Sequence, residues 1–145
     1  MVSNLIIREK ALFKNLNSTL TKLMASLREH IKDKNHINKI HFVIEEILVN
    51  IISYSFTESE VGYFEVSLNM DSPNKIMVKI IDNGIFFNLI KKEDADISLP
   101  LIRRGTGGLG IHLLKRFVDE IYYQRINNKN ILTLTFSNIS NKCLI

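Results

Sequence analysis

The chain has 145 residues, 46% of them apolar, enough for one domain with a sizeable core and too apolar for a disordered segment. Its formal charge is +4, but acidic residues are interspersed among the basic ones, so no nucleic-acid stripe stands out and a basic surface suits an acidic protein partner as well. No run of 18 apolar residues exists, the first residues lack a signal peptide's basic region, apolar run and cleavage site, and the one cysteine, Cys143, allows no intramolecular disulfide; a cytoplasmic protein with no membrane span is expected.

Residues 3–9, SNLIIRE, read as a short strand. Leucines at 12, 16, 20, 23 and 27 then recur at the spacing of a helix burying one face. After the polar break KDKNH comes a second and more apolar helical pattern over 37–56. Segments 62–70 and 74–83 alternate with period two, as strands with one buried face do, and Pro73 and Asn74 mark the turn between them. The stretch 85–105 has no clean period and reads as a long, partly mobile connection. A helix is expected over about 108–119, followed by a closing hairpin of 119–126 and 131–138 around NNKN, which lacks the Asn-Gly hairpin signature. The order β-α-α-β-β-α-β-β, without repeats or a dividing linker, predicts an α+β fold. It is a two-layer sandwich of helices on one face of a mixed, mainly antiparallel sheet, with residues 1–145 forming a single domain.

The glycines concentrate in RRGTGGLGIHLLKRFVDE, residues 103–120. A Walker A loop needs a lysine directly after its last glycine, and here Gly110 is followed by Ile111 and His112. A dinucleotide fingerprint needs the run straight after a parallel strand near the start of the fold, whereas this one follows an irregular segment late in the chain. What remains is a structural loop or an anion site at a helix N-terminus, where unpaired N–H groups and the positive dipole end need no lysine.

Two further groups bear on that choice. In HFVIEEILVNIISYSF, Ile40, Ile44, Ile47, Leu48 and Ile51 form the buried stripe. Glu46 and Asn50, four residues apart, project together from its flank, with Ser53 a turn further and Glu45 on a different face near Val49. A carboxylate and an amide so placed can position a hydroxyl and complete a magnesium shell, or can be an exposed helix-edge pair. In VKIIDNG an apolar strand ends in Asp82, and Gly84 allows a sharp departure. This is an ordinary turn, or a carboxylate accepting from an exocyclic amine beside a glycine that lets a flat base approach.

Taken in order, the three groups resemble the nucleotide site of the superfamily of gyrase, histidine kinases, large heat-shock chaperones and mismatch-repair ATPases. Within it, the chain is most similar to small anti-sigma-factor serine/threonine kinases. The first box, an acidic residue and then asparagine, is met by EEILVNIISYSF; the second, aspartate-any-glycine and then phenylalanine, by Asp82, Gly84 and Phe86; the third by GTGGLGIHLLKRFVDEIYYQR. The similarity covers about residues 5–136. It departs at Ile85, where family members often carry proline, which predicts a less fixed turn.

The resemblance implies a Bergerat-type fold that binds ATP and Mg²⁺, with a mobile lid over 87–106. It implies Asn50 as magnesium ligand, Glu46 as general base and Asp82 as reader of the adenine amino group. The nucleotide is further expected to meet Gly84, Phe86, Arg104, Gly105, Thr106, Gly107, Gly108, Leu109, Gly110 and Thr133. Arg103 and Arg104 suit phosphate oxygens and protein carboxylates equally. The implied activity is phosphorylation of a small anti-sigma-antagonist-like protein domain, with a sigma factor as a second partner and a homodimer as the assembly; the alternative is a non-catalytic, nucleotide-dependent binding module. No direct nucleic-acid contact is expected. His30, His36 and His41 form no zinc-like cluster, His112 reads as structural, and Cys143 has no adjacent base.

Overall fold

A computed structural model describes residues 4–56, 61–72, 74–86 and 108–137, with the backbone alone for 108–112. The chain runs β1 (Asn4–Lys10), a single 3-10 turn (Phe13–Asn15), α1 (Leu16–Arg28), α2 (Lys34–Tyr54), β2 (Tyr63–Ser72), β3 (Lys75–Asp82), α3 (Gly108–Phe117), β4 (Glu120–Ile126) and β5 (Lys129–Ser137). The strands form one sheet in the order β1-β2-β3-β5-β4, antiparallel at each of its four pairings. The expected element order and layering are both present. The expected lid over 87–106 lies outside the described residues, apart from the turn that leads into it.

The first helical pattern splits because Asn15 donates its side-chain amide to Lys10 O at 3.0 Å, while Thr19 Oγ1 donates to Asn15 O at 2.8 Å. The chain therefore turns there before the regular helix begins. α2 starts at Lys34, three residues ahead of the expected 37, because Asp33 is a side-chain cap accepting from the Asn35 N–H at 2.8 Å. From there Ile37, Ile40, Val43, Ile44, Ile47, Leu48 and Ile51 are buried. They face Phe64, Val66, Leu68, Ile76, Val78, Ile80, Leu132, Leu134 and Phe136 of the sheet, all buried in one core. α3 packs beside α2, with Phe42 edge-on to Phe117 at 5.7 Å between ring centroids.

The hairpin closes without glycine. Asn127 and Asn128 take φ of 51° and 61°, and Ile126 pairs with Lys129 around them. Two left-handed residues between paired strands make the two-residue turn that matches strand twist, and asparagine tolerates that conformation.

The register decides which polar groups reach the core. Along β3, Ile76, Val78, Ile80 and Asp82 share the helix-facing side, and along β5 so do Asn130, Leu132, Leu134 and Phe136. Asp82 and Asn130 are direct partners across the ladder. Two polar side chains thus end the two apolar rows side by side, under the C-terminal half of α2.

Candidate nucleotide site

A narrow cleft opens between α2 and the sheet, lined by Ile47, Asn50, Ile51, Ile80, Asp82, Tyr123, Asn130 and Leu132. Its enclosed volume is about 20 Å³, room for a water molecule and not for a purine. Its walls are apolar apart from the Tyr123 hydroxyl and three buried polar residues: Asn50, 1% exposed, and Asp82 and Asn130, each 4% exposed.

Asn50 was expected on the edge of the α2 stripe; the structure buries it. It lies seven residues after Val43, which is itself fully buried, so the apolar stripe is wider than Ile40, Ile44, Ile47, Leu48 and Ile51 and takes in Asn50. Asn50 Nδ2 donates to Glu46 O at 2.7 Å, while Asn50 Oδ1 is buried without a partner among the described residues. A buried amide oxygen with unused lone pairs costs free energy unless something polar meets it. An oxygen ligand is also what Mg²⁺ takes, so the residue fits the implied metal.

Glu46 is half-buried, and its Oε2 likewise lacks a partner among the described residues. Burial raises its carboxyl above the ordinary glutamate range, and the neighbouring Glu45 charge raises it further. Glu45 itself points toward His41, with a separation of 3.9 Å. The sequence reading set Glu45 apart on another face; its side chain does turn away, but its field still reaches Glu46. Ser53 is exposed and takes no part in the cleft.

Asp82 Oδ1 accepts from the Gly84 N–H at 2.9 Å and from Asn130 Nδ2 at 3.0 Å. Burial pushes its carboxyl up, against the lowering effects of Asn130, the Gly84 N–H and the Arg125 charge. Gly84 is needed for a close approach, though of a different kind from a base stacking on glycine. A Cβ there would lie 2.4 Å from Ser55 O, and the next residue, Ile85, donates its N–H to that same oxygen at 2.9 Å. The turn after β3 is thereby fastened to the end of α2 through an N–H that proline would lack, so Ile85 does not leave the turn loose as its departure from the family pattern predicts. Ser55 Oγ is buried and has no partner among the described residues.

Phe86 is 63% exposed and sits edge-on to Tyr123 at 5.8 Å, outside the cleft walls. Thr133 is the residue that the structure moves away from the site. It pairs with the exposed Lys79 on the open face of the sheet, opposite the cleft. The β5 residue that reaches Asp82 is Asn130, which the sequence reading missed. The signal was present: counting back by twos from Phe136, Leu134 and Leu132 puts Asn130 on the buried face, and Asp82 has the parity of Ile76, Val78 and Ile80. Arg103, Arg104, Gly105, Thr106 and Gly107 lie outside the described residues. Gly108, Leu109 and Gly110 form the first residues of α3, so the glycine run does open a helix.

Among the described residues no group of three or more His, Cys, Asp and Glu side chains could hold a metal. No helix among them is long and apolar enough to cross a membrane.

A helical layer over an antiparallel sheet, with a buried carboxylate at a strand end and a buried amide on the helix lining one cleft, makes an α+β sandwich with a polar cleft between its layers. The family model described as "Histidine kinase-like ATPase domain" matches residues 10–136. The chain belongs to that family, as an ATP-binding domain related to anti-sigma-factor and histidine kinases. It is 29% identical over 91 residues to the serine/threonine-protein kinase BtrW of Bordetella bronchiseptica, a stretch covering 63% of either chain. It is 27% identical over 100 residues to the serine-protein kinase RsbW of Bacillus thuringiensis, covering 66% of this chain and 61% of RsbW. The chain thus spans less than two thirds of the length of the curated relatives it matches. Among solved structures, the histidine kinase domain of the blue-light-activated kinase EL346 from Erythrobacter litoralis aligns with a TM-score of 0.54 at 14% identity. That alignment covers 85% of this chain and 61% of the other, a likeness of fold alone.

Proposed function

We propose that this chain is an ATP- and Mg²⁺-dependent serine/threonine protein kinase of the anti-sigma-factor type, acting in the cytoplasm on a small antagonist-type protein domain. The observation that carries the reading is the pair of unpartnered buried oxygens on one helix, Asn50 Oδ1 and Glu46 Oε2, beside a buried carboxylate at Asp82. Asn50 and Asp82 line the apolar cleft and Glu46 lies one helical turn before Asn50; buried polar groups of this kind are costly to folding and suit ligand binding.

Each residue has a role suited to its surroundings. Asp82 accepts a hydrogen bond from the exocyclic amine of the base. Asn50 Oδ1 is the ligand for the metal. Glu46, with its carboxyl raised above the ordinary glutamate range by burial and by Glu45, takes the proton of the attacking hydroxyl. Mg²⁺, when bound with the nucleotide, offsets the phosphate charge during transfer. The glycine-led start of α3 supplies N–H groups for phosphate oxygens. The cleft is too small for a purine as it stands, so the base lies across its mouth or widens it. The exposed ring of Phe86, edge-on to Tyr123, lies at the surface beside that residue of the cleft wall.

The test has two stages. Calorimetric titration with Mg-ATP and Mg-GTP is expected to show a preference for ATP; no heat with either removes the nucleotide reading. The untagged protein is then purified with its partner and given γ-labelled ATP. Glu46→Gln is expected to keep nucleotide affinity and lower transfer to the partner by about 10²- to 10⁴-fold, the effect of losing a positioned base. Binding of both ATP and partner by the wild type without transfer would instead make the chain a nucleotide-dependent binding module.

A further inference from the structure

Asn130 donates from Nδ2 to Asp82 Oδ1 at 3.0 Å and to Ile85 O at 2.7 Å. Its Oδ1 accepts from the Tyr123 hydroxyl at 2.5 Å and from Arg125 Nη1 at 3.1 Å. The same Arg125 nitrogen donates to Gly84 O at 2.7 Å. The chemistry of the neighbours fixes the amide's orientation. A guanidinium only donates and a backbone carbonyl only accepts, so Arg125 must face the oxygen and Ile85 O must face the nitrogen. Turning the amide over would set its oxygen against the Asp82 carboxylate and its N–H groups against the guanidinium. Asn130 is 4% exposed, so water offers little relief from such a mismatch.

The donors around Asp82 oppose the upward push of burial on its carboxyl. Both hydrogen bonds that the described residues give Asp82 fall on Oδ1, and the residue lines the cleft. We infer that Asn130, oriented by Arg125 and Tyr123, is a positioning residue that keeps Asp82 an acceptor toward the cleft, so that the site selects bases bearing an exocyclic amine. Arg125 acts at two points of the arrangement, on the amide of Asn130 and on the carbonyl of the Gly84 turn. None of this follows from Asp82 alone, because a buried carboxylate without those donors would bind a proton more readily and, once protonated, could donate to a carbonyl-bearing base.

This inference rests on the nucleotide reading above, and the experiment separates the two. Wild-type protein is titrated in the presence of Mg²⁺ with ATP and with purine riboside triphosphate, which carries hydrogen in place of the amine. Wild type is expected to prefer ATP by about 10- to 100-fold, the effect of a hydrogen bond to a charged group. Binding of neither nucleotide defeats the nucleotide reading itself. Equal binding of both leaves that reading standing and overturns the positioning role. In Arg125→Met and Asn130→Leu the preference is expected to fall toward unity, while affinity for the amine-free nucleotide stays within about threefold. Equal losses for both nucleotides would mean that the two residues only support the fold, and would overturn the inference. Arg125→Lys, which keeps a donor, is expected to recover part of the preference. Arg125 is only part-buried, so its variants report on the inference even where thermal melting shows Asn130→Leu to be unfolded.

Discussion

The two ends of α2 teach opposite lessons about cavities. At its N-terminal end a recess of about 450 Å³ is lined by Arg28, Ile31, Lys32, Lys34, Ile37 and Asn38. At its C-terminal half the cleft encloses only about 20 Å³. The larger recess carries solvated lysines, and the helix end beside it is already satisfied by the Asp33 cap. The smaller one holds Asn50, Asp82 and Asn130 almost entirely out of water. Volume alone would choose the end opposite to the proposed site. Polar groups buried at a cost to stability are the better marker of a site, because packing offers no return for them.

The sharpest way to break the comparison is Asp82→Asn. The new side chain can still accept from the Gly84 N–H and Asn130 through its oxygen, but presents an amide N–H where Oδ2 was. Affinity for Mg-ATP is expected to fall by about 10- to 100-fold by calorimetry. Thermal stability near neutral pH should rise, since a buried charge is removed. The sign with pH follows from the raised carboxyl. Between the unfolded and folded pKa values the native state binds more protons, so the Asp82 and Glu46 contributions favour folding at low pH and are lost as pH rises through the folded pKa. Asp82→Asn and Glu46→Gln should each flatten the corresponding part of the stability–pH curve measured by denaturant titration. An unchanged curve would mean that neither carboxyl is perturbed.

Asn50→Ala comes next. It removes both the unpartnered oxygen and the bond to Glu46 O, so the effect on folding is expected to be within about 1–2 kcal/mol, while nucleotide affinity loses most of its dependence on Mg²⁺. Persistence of that dependence would exclude Asn50 as a ligand. Glu45→Gln should act more weakly and only through charge. Because Glu45 raises the Glu46 carboxyl, its removal should move the acid limb of the transfer rate to lower pH while leaving nucleotide binding as it was. The smallest effect belongs to the other end of α2. Lys32→Gln with Lys34→Gln should leave nucleotide affinity unchanged and stability within about 0.5 kcal/mol per site. A large loss of ATP binding there would overturn the contrast between the two ends.

The layered fold was legible because its signals are local. Leucine spacing marks α1, the isoleucines mark α2, and period-two alternation marks the strands. The acidic residue and asparagine of α2 and the Asp-Asn-Gly turn were legible as a pattern too. Less visible was how deep they lie. Asn50 looks marginal until Val43 is counted with the stripe, and Asn130 looks like turn material next to Asn127 and Asn128 until strand parity carries it inward. Thr133 failed for the same reason, being one residue out of phase with Leu132 and Leu134 and so on the opposite face of the sheet. Pairing between distant strands, which sets Asp82 against Asn130, is a tertiary fact that no window of sequence contains.

The contact of Gly84 with Ser55 has a consequence for how this site can change over evolutionary time. The turn that follows Asp82 is joined to the end of the helix that carries Asn50 where main chain touches main chain, at a spot with no room for a Cβ. Side-chain drift elsewhere can soften or sharpen either end, but cannot alter the distance between them. A change at Gly84 would displace both ends in one step. Under the proposed function the two grips on the nucleotide are inherited together, and a descendant that loses one through this turn should lose the other with it.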